Sequence, residues 1–225
     1  MFEVTSTWKS AFPEAYAGVL VMRDVHNPAY HPELEKHKTE IEEGLRSQFS
    51  GQDRAAMSNL PILQAYNTYY RRFKKTYHVQ LQLESIAWKE KSIPSVSALV
   101  EAMFMAEMKN MLLTAGHDLD VLHLPLTLDV SKGTESYILL RGDEQVLKAS
   151  DMMISDGTGV VSSIVYGPDQ RTQITDGTRN VVFTVYAPAG IHEQTVAQHL
   201  QDIQEYVMVI SPQAQVELLK VYSQD

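Results

Sequence analysis

The residues best suited to chemistry lie in two short segments, Ile93–Asp120 and Gly167–Thr178. In the first, Pro94-Ser95-Val96-Ser97 leads into an apolar run containing Leu99, Val100, Met103, Met108, Met111 and Leu112. The run leaves through Thr114-Ala115-Gly116 into His117-Asp118-Leu119-Asp120. Small polar residues ahead of a helix leave backbone N–H groups free for an anion or a developing oxyanion. A Gly-His-Asp exit can hold ionisable groups on a tight loop, although a buried helix with polar ends is also how ordinary cores are built. The second segment, GPDQRTQITDGT, gathers Asp169, Gln170, Arg171, Thr172, Thr175 and Thr178 between two strand-like runs. Its Arg171 could pair with a phosphate or carboxylate, while exposed turns share the same composition.

Other chemistries are thinly represented. The chain has no cysteine, which excludes disulfides, thiolate metal sites and cysteine nucleophiles together. Its eight histidines form no HxxxH or HExxH pair. His117 with Asp118 and Asp120 could hold a cation through mixed nitrogen and oxygen ligands. The two aspartates serve equally well to cap a turn, and no metal or other cofactor is expected. There is no GxSxG elbow, SxxK pair, phosphate loop or dinucleotide fingerprint. What remains is a site of hydrogen-bonding groups acting on a bound water.

The charge is uneven. A net charge of −9 argues against a general nucleic-acid or DNA binder. Pro32–Glu43 nevertheless carries −3, while Tyr69–Lys91 carries +4. The spacing in Leu60–Lys75 predicts a helix with Ile62, Tyr66, Tyr69 and Phe73 on one side. By the same rotation Arg71, Arg72, Lys74 and Lys75 share the opposite arc, either as a solvated basic face or as a patch for phosphates.

These groups must be positioned by ordinary elements. Tyr16–Val25 reads as a strand stopped at Asn27-Pro28, and Pro32–Phe49 as an amphipathic helix. His78–Lys91 favours a helix by length and composition. After Asp120 short strands follow one another: His123–Val130, Ser136–Leu140, Glu144–Lys148, Met152–Ile154, Val160–Tyr166 and Asn180–Tyr186. Arg141-Gly142-Asp143 marks a hairpin. Thr195–Ile210 is a core-facing helix and Val216–Tyr222 a closing strand. The expectation is one α+β domain over residues 1–225, a largely antiparallel sheet flanked by helices. Residues 1–59 contribute an N-terminal strand and helix. Met1-Phe2-Glu3-Val4 does not read as a leader and no window is apolar enough to span a membrane, so a cytoplasmic location without membrane association is expected.

In this order, YYRRFKKTYHVQLQLES, IPSVSALVE, GHDLD and GPDQRTQITDGTRNVVFTVYAP resemble the B3/B4 domain. This domain occurs in the beta chain of bacterial phenylalanyl-tRNA synthetase and in stand-alone proteins of similar length. The likeness covers roughly residues 60–222 and implies a sheet flanked by helices. Within the synthetase the domain hydrolyses tyrosine wrongly esterified to the phenylalanine tRNA. The resemblance therefore implies binding of the acceptor end of a tRNA and editing of a mischarged ester in trans. It places Ser97-Ala98 where the synthetase has two Asn residues, Glu101 at an Asp position, and Ala115 at a His position three residues before Asp118. The implied catalytic set is His117, Ser97 and Glu101. The implied pocket is Ala98, Ala115, Gly116, Asp118, Asp169, Arg171 and Thr172, with Arg71, Arg72, Lys74 and Lys75 on the acceptor stem. A Glu that reads the tyrosine hydroxyl falls near Gln170-Arg171 and is not retained, so tyrosine specificity does not carry over. Two alternatives stand beside editing: a non-catalytic module for tRNA or an amino-acid-like ligand, and a protein-interaction domain that keeps only the fold.

Overall fold

A computed structural model describes residues 1–224. The elements run β1 (Phe2–Val4), α1 (Ser6–Ala11), β2 (Tyr16–Arg23), α2 (Pro32–Gln48), α3 (Arg54–Ser58), α4 (Pro61–Arg71), α5 (His78–Lys89) and α6 (Ala98–Asn110). They continue β3 (Thr114–Asp118), β4 (Leu126–Val130), β5 (Ser136–Ile138), β6 (Glu144–Val146), β7 (Met152–Asp156), β8 (Gly159–Ser163) and β9 (Gly167–Pro168). The chain ends with β10 (Val181–Ala187), α7 (Glu193–Ile210) and β11 (Gln215–Tyr222). This is the expected α+β architecture, but the strands divide into two main sheets rather than one. One has the order β1-β4-β7-β8-β9 and the other β11-β2-β10-β3, with β5 and β6 forming a separate hairpin. Pairing is antiparallel throughout except where β1 lies parallel to β4.

The four-stranded sheet is the centre of the core. β2 and β10 read as continuous apolar runs, and Ala17–Met22 and Val181–Ala187 are buried throughout, as strands covered on both faces must be. Helix α7 packs across β2 with Val196, Leu200, Ile203 and Val207. Gly18 permits the approach, since a Cβ there would lie 2.8 Å from Val196 Cγ1. On α4, tyrosines bind the two sheets together: Tyr66 Oη donates to Tyr186 O in β10, and Tyr70 Oη donates to Ile164 O just after β8. Tyr69 Oη donates to Asp151 Oδ1 and accepts from Met152 N. Burial holds these phenols above the ordinary tyrosine range, so they remain neutral donors.

Three local expectations change. Helix α4 stops at Arg71, because Lys74 turns left-handed (φ 56°) and Lys75 N closes back on Tyr70 O. Arg72, Lys74 and Lys75 therefore lie on a turn rather than on one helical arc. The segment Thr114–Asp118 is a buried strand, not a loop, paired with β10 in the register Gly116↔Phe183. Finally, the start of α6 is already capped. Ala98 N donates to Pro28 O and Leu99 N to Asn27 Oδ1, both from the connection after β2, and Glu101 N donates to Ser97 O. These three N–H groups are not available to an oxyanion. No helix of the described residues is long and apolar enough to cross a membrane.

Candidate functional site

A hollow of about 340 Å³ opens where the edge of the four-stranded sheet meets the edge of the five-stranded one. Helix α6 supplies one wall through Val100, Met103, Phe104 and Glu107, with Val96 just ahead of it. Residues Leu113–Gly116 form the floor, Gly167, Pro168, Gln173 and Ile174 the opposite wall, and His78 and Gln82 of α5 the rim. The two expected segments do bring their walls together, although different residues face inward.

The floor is the buried, unpaired edge of a sheet. β3 is the last strand of its sheet, and antiparallel pairing turns the N–H and C=O of alternate residues away from the partner. Thr114 N points outward to Glu107 Oε1 at 2.7 Å, and Asp118 N points outward to Thr172 O at 2.8 Å. Gly116 lies between them in the same phase, so its N–H and C=O face the hollow, where no strand pairs with them. A side chain there would be crowded, since a Cβ would lie 2.8 Å from Ile174 Cδ1 and 3.2 Å from Phe183 Cε1.

Glu107 was not expected at the site. It is 2% exposed, its Oε1 is held by Thr114 N, and it forms no ion pair with any described residue. Burial pushes its carboxyl up to about 8 against the opposing pull of that N–H, so it is mostly protonated at pH 7. The sequence did carry a signal: Glu107 shares the helical stripe of Val100, Met103 and Phe104, an acid on an otherwise apolar face. At the rim, His78 keeps an exposed face, and the neighbours crowding the rest of its ring lower the imidazole from the ordinary histidine value.

The expected catalytic residues all lie outside the hollow. Ser97 is buried at the N-cap of α6, and its side chain caps nothing. Glu101 is buried against Lys38, with Oε1 at 2.6 Å from Nζ, and Glu35 and Ser95 complete that cluster. His117 belongs to a closed polar chain. Thr172 Oγ1 donates to Asp169 Oδ1, which assigns the 2.7 Å contact to His117 Nδ1–H donating to Thr172 Oγ1. Arg171 holds Asp156 with both terminal nitrogens at 3.0 Å and approaches Asp169 with Nε at 3.5 Å. Burial, with Arg171 nearby, lowers His117 to about 4. Its Nε2 is buried without a partner.

Of the expected pocket residues, Ala115 and Gly116 line the hollow, while Ala98 is buried behind it. Asp118 accepts from Asp120 N and Thr178 Oγ1, Asp169 and Thr172 belong to the chain above, and Arg171 has spent its guanidinium on Asp156. The cations fare differently. Arg71 and Lys74 are exposed, Arg72 stacks on Phe12, Tyr69 and Phe73, and Lys75 Nζ sits 5.5 Å over the ring of Tyr166, next to Gly167 of the hollow.

The profile of the B3/4 domain matches residues 64–209, a span that includes all of the lining. No curated protein matches the chain. Among solved structures, an N-terminal fragment of the phenylalanyl-tRNA synthetase beta-subunit from Pyrococcus horikoshii superposes with a TM-score of 0.49 at 11% identity. The alignment covers 98% of this chain and 50% of that fragment, so the chain spans about half its length.

Proposed function

We propose, for a chain that belongs to the B3/4 domain family, that the hollow receives the amino acid carried at the acceptor end of a tRNA and that the protein hydrolyses mischarged esters in trans. The observation that carries this reading is the enclosure at β3: apolar walls, a few converging polar groups and an open backbone edge in about 340 Å³. That volume suits one amino acid rather than a nucleotide, which would remain outside. Lys75, over Tyr166 and so next to Gly167 of the lining, and the exposed Arg71 and Lys74 are the cations this reading assigns to the phosphates. An activated ester needs little catalytic power once a water is oriented. Among the lining groups, neutral His78 is suited to take a proton from that water, and Gly116 N–H to polarise the ester carbonyl. Deacylation assays across a panel of mischarged aminoacyl-tRNAs should show turnover of at least one pair, reduced in His78→Ala. Absence of turnover for every pair at micromolar protein overturns the hydrolytic part.

A specific observation favours a second reading. Ser97, Glu101 and His117 are all absorbed into the packing, which supports a module that binds the aminoacyl end without cleaving it. It predicts salt-dependent tRNA binding, weakened in Arg71→Glu and Lys75→Glu, with no hydrolysis. Indifference to every tRNA would overturn both readings.

A further inference from the structure

We propose that Glu107 and the open edge at Gly116 together recognise a free α-amino acyl group, taking its ammonium and its carbonyl, and that they reject acyl groups whose nitrogen is blocked. The inference rests on the reading of the hollow as an aminoacyl pocket and adds to it which part of the ligand is read. Three outward positions follow one another along β3. At Thr114 the N–H is taken by Glu107, at Asp118 the N–H is taken by Thr172 O, and at Gly116 both groups are open. Like positions on one edge recur about every 7 Å, so a ligand bound at Gly116 lies within reach of the Glu107 carboxyl. Among the described residues that carboxyl has only one oxygen engaged, by a backbone N–H, and no cation pairs with it.

A buried acid without a cation is held neutral until a cation completes it, because its charged form is costly there. An α-ammonium does so. Held by Glu107, it leaves its own carbonyl positioned to accept from Gly116 N–H, much as an added strand residue would. The α-substituent then points toward Val100, Met103, Phe104 and Ile174. Gly116 has to be glycine for this, because any Cβ would meet Ile174 and Phe183. Acylation of the nitrogen removes the positive charge, adds bulk against an apolar wall and leaves Glu107 uncompensated. Because burial raises Glu107 to about 8, seating an ammonium ionises the carboxyl and releases its proton to solvent.

The test uses 3′-aminoacylamino-3′-deoxyadenosines, whose amide link resists hydrolysis, bearing alanyl, leucyl, phenylalanyl or tyrosyl groups, each with a free and an N-acetylated amine. Calorimetry on the full chain should show the acetyl group weakening the best ligand by about tenfold or more, the loss of one charge-assisted hydrogen bond. Glu107→Gln should bring the two forms within about twofold of each other. Should that variant fail to fold, the wild type still decides: titration at pH 7 in buffers of different ionisation heat should show proton release on binding the free-amine ligand. Equal binding of both forms, retention of the preference in Glu107→Gln, absence of proton release or failure of all four ligands to bind overturns the inference. Hydrolysis of acetylated and free aminoacyl-tRNA at equal rates would overturn it while leaving the aminoacyl-pocket reading standing.

Discussion

At Gly116 the edge of β3 faces an apolar hollow with its peptide groups open, while one residue further on His117 turns into a packed polar network and is held there through Nδ1. The network holds the side chains usually associated with catalysis: a histidine, two aspartates, an arginine and a threonine. They bond to one another, with only His117 Nε2 left over among their described contacts, and together they fix the Gly167–Thr178 loop against β3. The hollow holds a glycine, a lone glutamate and apolar walls. Reactive residue types in a buried place satisfy one another first, and what remains accessible to a ligand is what the fold leaves without a partner.

The comparison can be broken most directly at Gly116. Gly116→Val should fill the hollow and press on Ile174 and Phe183, costing about 1–3 kcal/mol of stability and abolishing ligand binding. A folded variant that still binds would mean that the open edge is not the site. Next in size is a pH dependence of opposite sign in the two regions. His117 is held near 4 in the folded protein, below its ordinary value of 6.5, so its contribution is present above pH 6.5 and is lost as pH falls toward 4. The loss is on the order of 3 kcal/mol. Glu107, raised from 4.5 to about 8, behaves conversely: its contribution is present below pH 4.5 and is lost as pH rises toward 8. Urea unfolding from pH 4 to 9 should show the acid slope shrink in His117→Gln and the alkaline slope shrink in Glu107→Gln. His199 and Asp151 provide the unchanged background, with the same respective signs.

Thr172→Val tests the closed region alone. It strips the acceptor from His117 Nδ1 and a donor from Asp169, and should cost about 1–3 kcal/mol while leaving binding in the hollow unchanged. A large loss of affinity would show the two regions to be one. The smallest effect separates two residues at the start of α6. Asn27→Ala removes the acceptor for Leu99 N and should cost about 1 kcal/mol, whereas Ser97→Ala, whose side chain caps nothing, should stay within about 0.5 kcal/mol in thermal melts.

Much of the scaffold was legible because its signals are local. The periodicity of α2 and α7, the length and composition of α5 and the Arg141-Gly142-Asp143 turn of the β5–β6 hairpin need no distant partner to be read. The walls of the hollow were legible too, since the Ile93–Asp120 and Gly167–Thr178 segments do meet across it. The occupants were not. Thr114–Asp118 is too short and too mixed to announce a strand, and its partner Val181–Ala187 lies far along the chain. Ser97 stood before a helix start whose N–H groups read as free, yet Leu99 N is taken by Asn27. Glu101 and His117 looked reactive because nothing nearby in sequence foretold Lys38 or Thr172. The left-handed turn at Lys74, with no glycine to mark it, hid the end of α4.

The borrowed cap on α6 has a kinetic meaning. Leu99 N cannot find its acceptor until the connection after β2 has come into place, 72 positions earlier in the chain. The first turn of this helix is therefore recorded late, by long-range closure rather than by nucleation from its own residues. Its amide protons should exchange with deuterium only through openings that detach the Asn27 connection, so protection at Leu99 reports the docking of one half of the molecule onto the other.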